Sequence, residues 1–95
     1  MSASVASNPA ESRYEVLVDG ELGGWLSYEH SDGTVDLQHT VVLPSHRGQG
    51  LAGMLAERAF DDARAEGLRV IPSCPFVLGW TKEHPEVEGL LATQP

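Results

Sequence analysis

Hydrophobic and polar residues alternate along the first third of the chain. The apolar side chains of Tyr14, Val16 and Val18 fall on one side of an extended segment over residues 13–18, so this segment is predicted to be a strand with one buried face. A similar alternation, with aromatic and β-branched residues, predicts two more strands. These cover residues 21–29 and 34–43, and Pro44 ends the second of them.

Glycine-containing turns separate the predicted strands. Asp19 with Gly20 forms one turn sequence, and a Ser-Asp-Gly sequence at 31–33 forms the next. Both sequences consist of residue types that accept tight-turn conformations. Consecutive strands are therefore expected to pair antiparallel. Two glycines inside the second strand, Gly23 and Gly24, predict a β-bulge or a close approach of two backbones.

The N-terminal residues, 1–11, are small and polar and include a proline. They offer little apolar surface to bury, so we predict a disordered tail over residues 1–11. The remaining residues, 12–95, are predicted to form a single domain, because the length and the 41% of hydrophobic residues are ordinary for one globular unit.

The hydrophobic spacing becomes helical after residue 50. Apolar residues recur at every fourth position, at Leu51, Leu55, Ala59 and Ala63. This spacing predicts an amphipathic helix over residues 50–66, which Gly67 is placed to end. The segments predicted to follow are a short strand over 68–71, a second helix over 76–83 and one more helical turn over 86–95.

The predicted order of elements is therefore β-β-β-α-β-α. Because the third and fourth strands are joined through a helix, they should form a parallel, right-handed βαβ unit. The expected fold class is α/β in the broad sense (α+β with a mixed sheet). Its N-terminal strands are antiparallel, and its parallel strands splay apart at one end.

Composition and charge exclude several classes of function. A formal net charge of −8 on 95 residues lacks the basic surface that nucleic-acid binding requires. The charge either serves solubility or favours a cationic partner through electrostatic steering. No apolar run approaches the roughly 18 residues of a membrane span, and no signal peptide is recognisable. The single cysteine and the scattered histidines suggest neither a disulfide nor a metal site. We expect a cytoplasmic monomer or homodimer.

Residues 44–52 form the junction between the strands and the first helix. Gly48 and Gly50 allow the backbone to turn sharply and to approach a ligand closely. The first N–H groups of the following helix have no intrahelical acceptor and attract anions. The sequence therefore predicts a strand–loop–helix cradle for a phosphate group.

Two other phosphate-binding loops fit this junction poorly. A P-loop requires Lys and Ser or Thr after its last glycine, whereas Leu51 and Ala52 follow Gly50. The spacing of Gly48, Gly50 and Gly53 matches G-x-G-x-x-G. However, three antiparallel strands precede the loop, and the chain is too short for a dinucleotide-binding fold.

Residues 47–52, RGQGLA, fit the pattern Q/R-x-x-G-x-G/A. This segment resembles the pyrophosphate-binding motif of the Gcn5-related N-acetyltransferase (GNAT) superfamily. With His39 and Thr40, the segment VIPSCPFV at 70–77, and His84 before Pro85, the chain is similar to the small, single-domain YjdJ-type subgroup. The resemblance covers roughly residues 13–91.

The resemblance implies that acetyl-coenzyme A is the acetyl donor, that no metal takes part, and that the acceptor is an amine. Its pyrophosphate is expected on the loop and its pantetheine arm beside the end of the preceding strand. The expected coenzyme-binding residues are Thr40, Val41, Val42, Leu43, His46, Arg47, Gly48, Gln49, Gly50, Leu51, Ala52, Cys74, Pro75 and Trp80.

Two residues, Cys74 and His39, are candidates for the chemistry, and a third, Trp80, is not. Trp80 lies in the stretch where larger relatives carry a tyrosine acid, and an indole cannot replace a phenol in that role. Cys74 could carry the acetyl group or protonate the leaving thiolate, or it could be a small buried hydrophobe. His39, predicted to share a strand face with Leu37 and Val41, could relay a proton, or it could be a core histidine. Relatives often carry an acid where this chain has Val41.

The leading hypothesis is a GNAT-like N-acetyltransferase acting on a protein lysine, a protein N-terminus or a small amine. The alternatives are a non-catalytic acyl-coenzyme A-binding module and a structural domain without a ligand. Larger GNAT enzymes have a helical hairpin between their first two strands, where this chain has only Asp19 and Gly20. The acceptor site is therefore expected to be open, or completed by a second subunit.

Overall fold

Five strands form a single sheet in a computed structural model that describes residues 2–92 of the chain. They are β1 (Ala3–Asn8), β2 (Arg13–Val18), β3 (Glu21–Ser31), β4 (Thr34–Val42) and β5 (Arg69–Ile71). The α-helices are α1 (Leu51–Glu66) and α2 (Pro75–Lys82), and the short 3-10 helices are Pro9–Glu11, Pro44–His46 and Pro85–Leu90. The strands lie in the sheet in chain order.

The sheet is mixed, which confirms the predicted fold class. Neighbours from β1 to β4 pair antiparallel, whereas β5 pairs parallel to β4, from Thr34 opposite Arg69 to Asp36 opposite Ile71. α1 connects β4 to β5, as expected for a βαβ unit. The bounds of β2 are those predicted, and α1 begins at Leu51.

The N-terminal segment is a strand, so the predicted disordered tail over residues 1–11 is wrong for the described part, 2–11. β1 pairs along its whole length with β2, and the N–H of Asp19 donates to the carbonyl of Ser2 at 2.7 Å. Arg58 of α1 donates to the carbonyl of Val5 at 3.0 Å. Composition was misleading because backbone hydrogen bonds to an existing sheet edge hold this strand, and they need no large apolar side chain.

The C-terminal turn predicted over 86–95 is a 3-10 helix, Pro85–Leu90. Leu91 then forms a bridge with Val70 of β5, so this segment closes against the sheet. Residues 93–95 of that prediction lie outside the described residues. Within residues 2–92, no helix is long and apolar enough to cross a bilayer.

Both α-helices cover the same face of the sheet. Buried side chains of α1 pack against the strands, and the rings of Phe60 on α1 and Trp80 on α2 stack with their centroids 5.4 Å apart. The largest fully buried side chains are Phe60, Leu26, Leu37, Leu55, Val16, Val70 and Val77. We call the opposite side of the sheet the open face, because no helix among residues 2–92 covers it.

Two β-bulges interrupt the alternation of side chains along the sheet. The register between β2 and β3 slips at Gly23, and a side chain at Gly24 would collide with the carbonyl oxygen of Val41. Both predicted uses of this glycine pair are therefore confirmed. A second bulge, at Gln38 of β4, has no glycine or proline to signal it in the sequence.

The bulge at Gln38 changes which face the following residues occupy. Leu37 lies on the helix-covered face, and the extra residue places Thr40, opposite buried Leu26, on that face next. His39 and Val41 therefore lie on the open face. The prediction that His39 shares a face with Leu37 is wrong, because it assumed a strand without a bulge.

Candidate functional site

The loop between β4 and α1 follows a backbone path that depends on two glycines. After the 3-10 helix Pro44–His46, Gly48 has φ = 81° and Gly50 has φ = 75°. These values lie in the left-handed region, which costs a residue with a side chain about 1–2 kcal/mol. A Cβ at either position would meet no atom within 4 Å, so the backbone conformation, and not crowding, requires glycine.

Several backbone N–H groups at the end of this loop have no backbone hydrogen-bond acceptor within the described part of the chain. Among the described residues, the N–H groups of Gly48, Gln49 and Gly50 donate to no backbone carbonyl, and Met54 donates to Gly50 at 3.4 Å as α1 begins. The N–H groups of the first turn of α1 also lack an intrahelical acceptor. These donors and the positive end of the helix dipole are suited to bind an anion.

Two adjoining clefts lie in front of this loop. The main cleft, of about 610 Å³, opens between the start of α1 and one side of α2. The strand cleft, of about 400 Å³, lies at the end of β4. Both are lined by Val42, Arg47, Ala52 and Phe76, so together they form one elongated groove from the helix start to the strand.

The edge of β4 is open where the strand cleft meets it. Its pairing with β5 ends at Asp36, and the N–H of Cys74 then donates to the carbonyl of Leu37 at 2.9 Å. No strand pairs with this edge beyond Leu37 within the described residues. Arg47 Nε lies 3.4 Å from the carbonyl oxygen of Val42, and its side chain flanks the groove.

Cys74 is the residue before α2 and contacts Thr40, which lines the strand cleft. Its side chain is buried, and Sγ lies 3.2 Å from Oγ1 of Thr40. Burial raises the pKa of the Cys74 thiol. Hydrogen bonds from the Thr40 hydroxyl and from the backbone N–H groups of Val77 and Phe76 together lower it by more, so the net shift is downward. A buried thiol that ionises more readily than usual differs from an inert core cysteine.

His39 is not beside Cys74. Its side chain is exposed on the open face, so the structure also contradicts a core histidine. Asp36 lies on the same face, directly opposite Glu29 of β3. Within the described residues, Oδ1 of Asp36 is buried without a hydrogen-bond partner, which is an unusual state for a carboxylate oxygen.

Most residues expected to bind coenzyme line the two clefts. The main cleft is lined by Val42, His46, Arg47, Gly48, Gly50, Leu51, Ala52, Pro75 and Trp80, and the strand cleft adds Thr40 and Val41. Leu43, Gln49 and Cys74 line neither of these two clefts, and the N–H of Leu43 donates to the carbonyl of Gly23 at 2.9 Å.

Four residues of the main cleft were missed by the sequence reasoning: Gly53, Phe76, Gly79 and Glu83. Those on α2 recur with Trp80 at helical spacing, which is the signal that could have identified one helix face. Phe76 is 42% exposed, a large value for a phenylalanine. Among residues 2–92, no group of three or more His, Cys, Asp or Glu side chains could hold a metal ion.

Comparison with known sequences assigns the family. A profile described as GCN5-related N-acetyl-transferase matches residues 13–90. The chain belongs to the GNAT family. The matched residues include the loop, both clefts and every strand except β1.

Curated relatives of this GNAT domain include two vertebrate proteins. Protein NATD1 of Xenopus tropicalis is 39% identical over 71 residues, covering 74% of this chain and 65% of that protein. Protein NATD1 of Bos taurus is 41% identical over 61 residues, covering 64% of this chain and 54% of that protein. The chain thus spans just over half to about two thirds of these relatives.

Solved structures show the same fold. The NMR structure of a GCN5-like protein from Staphylococcus aureus has a TM-score of 0.73 at 18% identity and covers 97% of this chain and 90% of that one. A ribosomal-protein-alanine N-acetyltransferase from Brucella melitensis has a TM-score of 0.58 at 21% identity, with 87% of this chain and 62% of that one covered. At these identities the likeness concerns the fold alone.

Proposed function

We propose that this GNAT domain is an acetyl-coenzyme A-dependent N-acetyltransferase that moves the acetyl group to an amine. The observation that carries the proposal is the groove formed by the two clefts, which joins a helix start suited to an anion to an open strand edge, where Thr40 contacts Cys74. A long ligand with phosphates at one end and an amide-bearing arm at the other matches this arrangement.

The residues present fit such a donor. The N–H groups over residues 48–52 would bind its pyrophosphate, and the guanidinium of Arg47 would add a positive charge at the same place. The free edge of β4 from Thr40 to Val42 would pair with the amides of the pantetheine arm. Phe76, exposed at the groove, would cover the apolar part of the arm.

Cys74 is proposed to take part in the chemistry. Transfer forms a C–N bond to the amine, breaks the C–S bond of the thioester, leaves a coenzyme thiolate that needs a proton, and removes one proton from the amine. With its pKa lowered, Cys74 could protonate that thiolate. Alternatively, its own thiolate could accept the acetyl group first and pass it on to the amine.

Mass spectrometry distinguishes these two roles of Cys74. The domain mixed with acetyl-coenzyme A and no amine, and quenched rapidly, should carry one acetyl group on the Cys74 peptide if the cysteine is an acetyl carrier. An unmodified peptide, together with slower turnover of Cys74→Ala, assigns the proton-donor role. Full turnover of Cys74→Ala with an unmodified peptide would remove Cys74 from the mechanism.

The acceptor is proposed to be a cationic amine that approaches from the open face. The exposed His39 lies there, where it could take the proton of the amine. The net charge of −8 would attract an ammonium group. A protein lysine or N-terminus fits a face without a covering helix. We also propose a cytoplasmic location, where the free thiol of Cys74 would stay reduced, and a monomeric or homodimeric state.

Release of free coenzyme A tests the proposal. With acetyl-coenzyme A and a panel of lysine peptides, free N-terminal peptides and small diamines, release should depend on the amine and should stop when the amine is blocked. Coenzyme binding without amine-dependent release would instead support the non-catalytic acyl-coenzyme A-binding module. That alternative is favoured by Trp80, which cannot act as the phenolic acid of larger relatives.

A further inference from the structure

The indole of Trp80 is held between two other rings. Phe60 stacks on it with centroids 5.4 Å apart and planes at 19°, and His84 stacks with centroids 3.8 Å apart and planes at 14°. Among the described residues, Phe60 and His84 make no ring contact with each other, as expected for rings on opposite faces of the indole. Because these two rings cover the faces of the indole, only its edge faces the main cleft.

His84 is itself anchored to the end of α2. Its ring atom Nδ1 lies 2.8 Å from the carbonyl oxygen of Trp80, and its backbone N–H donates to the carbonyl of Thr81 at 3.2 Å. Because a carbonyl can only accept, Nδ1 carries the proton in this contact. The imidazole is therefore held in one position, and by stacking on the indole it sets the orientation of the Trp80 ring against Phe60.

The polar edge of the indole lies beside the first turn of α1. Nε1 is 3.7 Å from the position that a Cβ would take at Gly53, and Trp80 and Gly53 both line the main cleft. Within residues 2–92, Nε1 has no hydrogen-bond partner, and it is not buried. An indole N–H can only donate, so this donor is available to a ligand in the cleft.

We infer that the Trp80 indole N–H is a side-chain donor to the coenzyme pyrophosphate and that His84 is the positioning residue that holds it there. The inference rests on the proposed function, since it names a further group of the same cleft. Gly53 supports it, because glycine inside a helix is less favourable than alanine. Here it leaves the space in front of Nε1 unfilled by a side chain.

Nuclear magnetic resonance tests this directly, because the chain contains only two tryptophans. In a ¹⁵N-labelled sample, Trp25→Phe assigns the two indole signals. Titration with coenzyme A should move the Trp80 indole proton downfield and leave the Trp25 signal unchanged. Trp80→Phe, which keeps a ring against Phe60, should weaken coenzyme A binding by about tenfold. Its affinity for pantetheine, which has no pyrophosphate, should not change.

Variants of His84 separate positioning from folding. His84→Ala should reduce both the indole shift and the affinity for coenzyme A, and His84→Phe, which restores a stacked ring, should recover most of both. If the amides of residues 48–52 shift while the Trp80 indole does not, the inference fails and the proposed function stands. If the loop amides do not shift either, both fail. The wild-type titration decides this even if a variant folds poorly.

Discussion

The two faces of the sheet differ in how completely they are built. On the helix-covered face, Thr40 contacts a buried thiol, and a groove leads from Thr40 to the start of α1. On the open face, His39 is exposed, and Asp36 keeps a buried carboxylate oxygen without a partner among the described residues. One bulge, at Gln38, assigns these neighbouring residues to opposite faces.

This difference suggests that the two substrates are treated differently. The proposed donor is the same in every reaction, so backbone groups and fixed walls on the helix-covered face would suffice to bind it. The proposed acceptor would arrive as part of another molecule and would need an accessible surface, which the open face offers. Substitutions on the helix-covered face should therefore affect coenzyme binding, and those on the open face should affect use of the amine.

The largest effect is expected for Gly50→Val. A β-branched residue at φ = 75° costs about 1–2 kcal/mol or displaces the loop, and coenzyme A affinity measured by calorimetry should fall by about tenfold or more. Gly33→Val is a matched control, because Gly33 has φ = 73° and lies in the β3–β4 turn. It should lose similar stability and keep its coenzyme affinity, and an equal loss of affinity would contradict the role of the loop.

Cys74→Ala should change how stability depends on pH. The folded state lowers the pKa of Cys74 below its ordinary value of 9.0, so the thiolate stabilises the fold above that value. This contribution is lost as pH falls through the folded pKa. Urea unfolding at about pH 7 and about pH 9.5 should show wild type gaining stability over Cys74→Ala at the higher pH. A difference that shrinks at higher pH would mean that the pKa is raised.

Thr40 and His39 are neighbours on opposite faces of the sheet, so their variants compare the two faces directly. Thr40→Val removes a hydroxyl beside Sγ, so alkylation of Cys74 by iodoacetamide should require a higher pH, at a stability cost of about 0.5–1.5 kcal/mol.

His39→Ala, at an exposed position, should change stability by less than about 0.5 kcal/mol and lower turnover more than acetyl-coenzyme A affinity. Equal losses of turnover and affinity in His39→Ala would leave it without a role at the acceptor.

The smallest effect is expected for Asp36→Asn. Asp36 lies directly opposite Glu29, and removing one of two facing like charges should stabilise the sheet by about 0.2–1 kcal/mol. Glu29→Gln relieves the same repulsion and serves as the matched variant. Thermal unfolding should show both slightly more stable than wild type. Marked destabilisation of Asp36→Asn alone would mean that its carboxylate supports the fold.

Much of the fold follows from the sequence, because its signals are local. The alternation over residues 13–18 defines β2, and the four-residue spacing from Leu51 defines α1. Turn glycines and the loop glycines have the positive φ values that their residue type permits. The turn of the loop at Gly48 and Gly50 could be predicted because the backbone before a helix start requires particular residue types there.

The parts that sequence reasoning missed depend on tertiary contacts. β1 exists because β2 offers it hydrogen bonds, and its small side chains carry no strand signal of their own. The bulge at Gln38 leaves no mark in composition, yet it decides the face of His39. The ring stack on Trp80 joins α1 to residues beyond α2, and no local pattern predicts which edge of the indole faces the cleft.

Amide chemical shifts during a coenzyme A titration test the central claim most directly. We predict saturable shifts over residues 48–53, along β4 from Thr40 to Val42 and around Phe76, with the amides of β1 and the open-face turn at Gly33 unchanged. Shifts confined to other parts of the chain, or none at saturating coenzyme A, would contradict the assignment of the groove as the donor site.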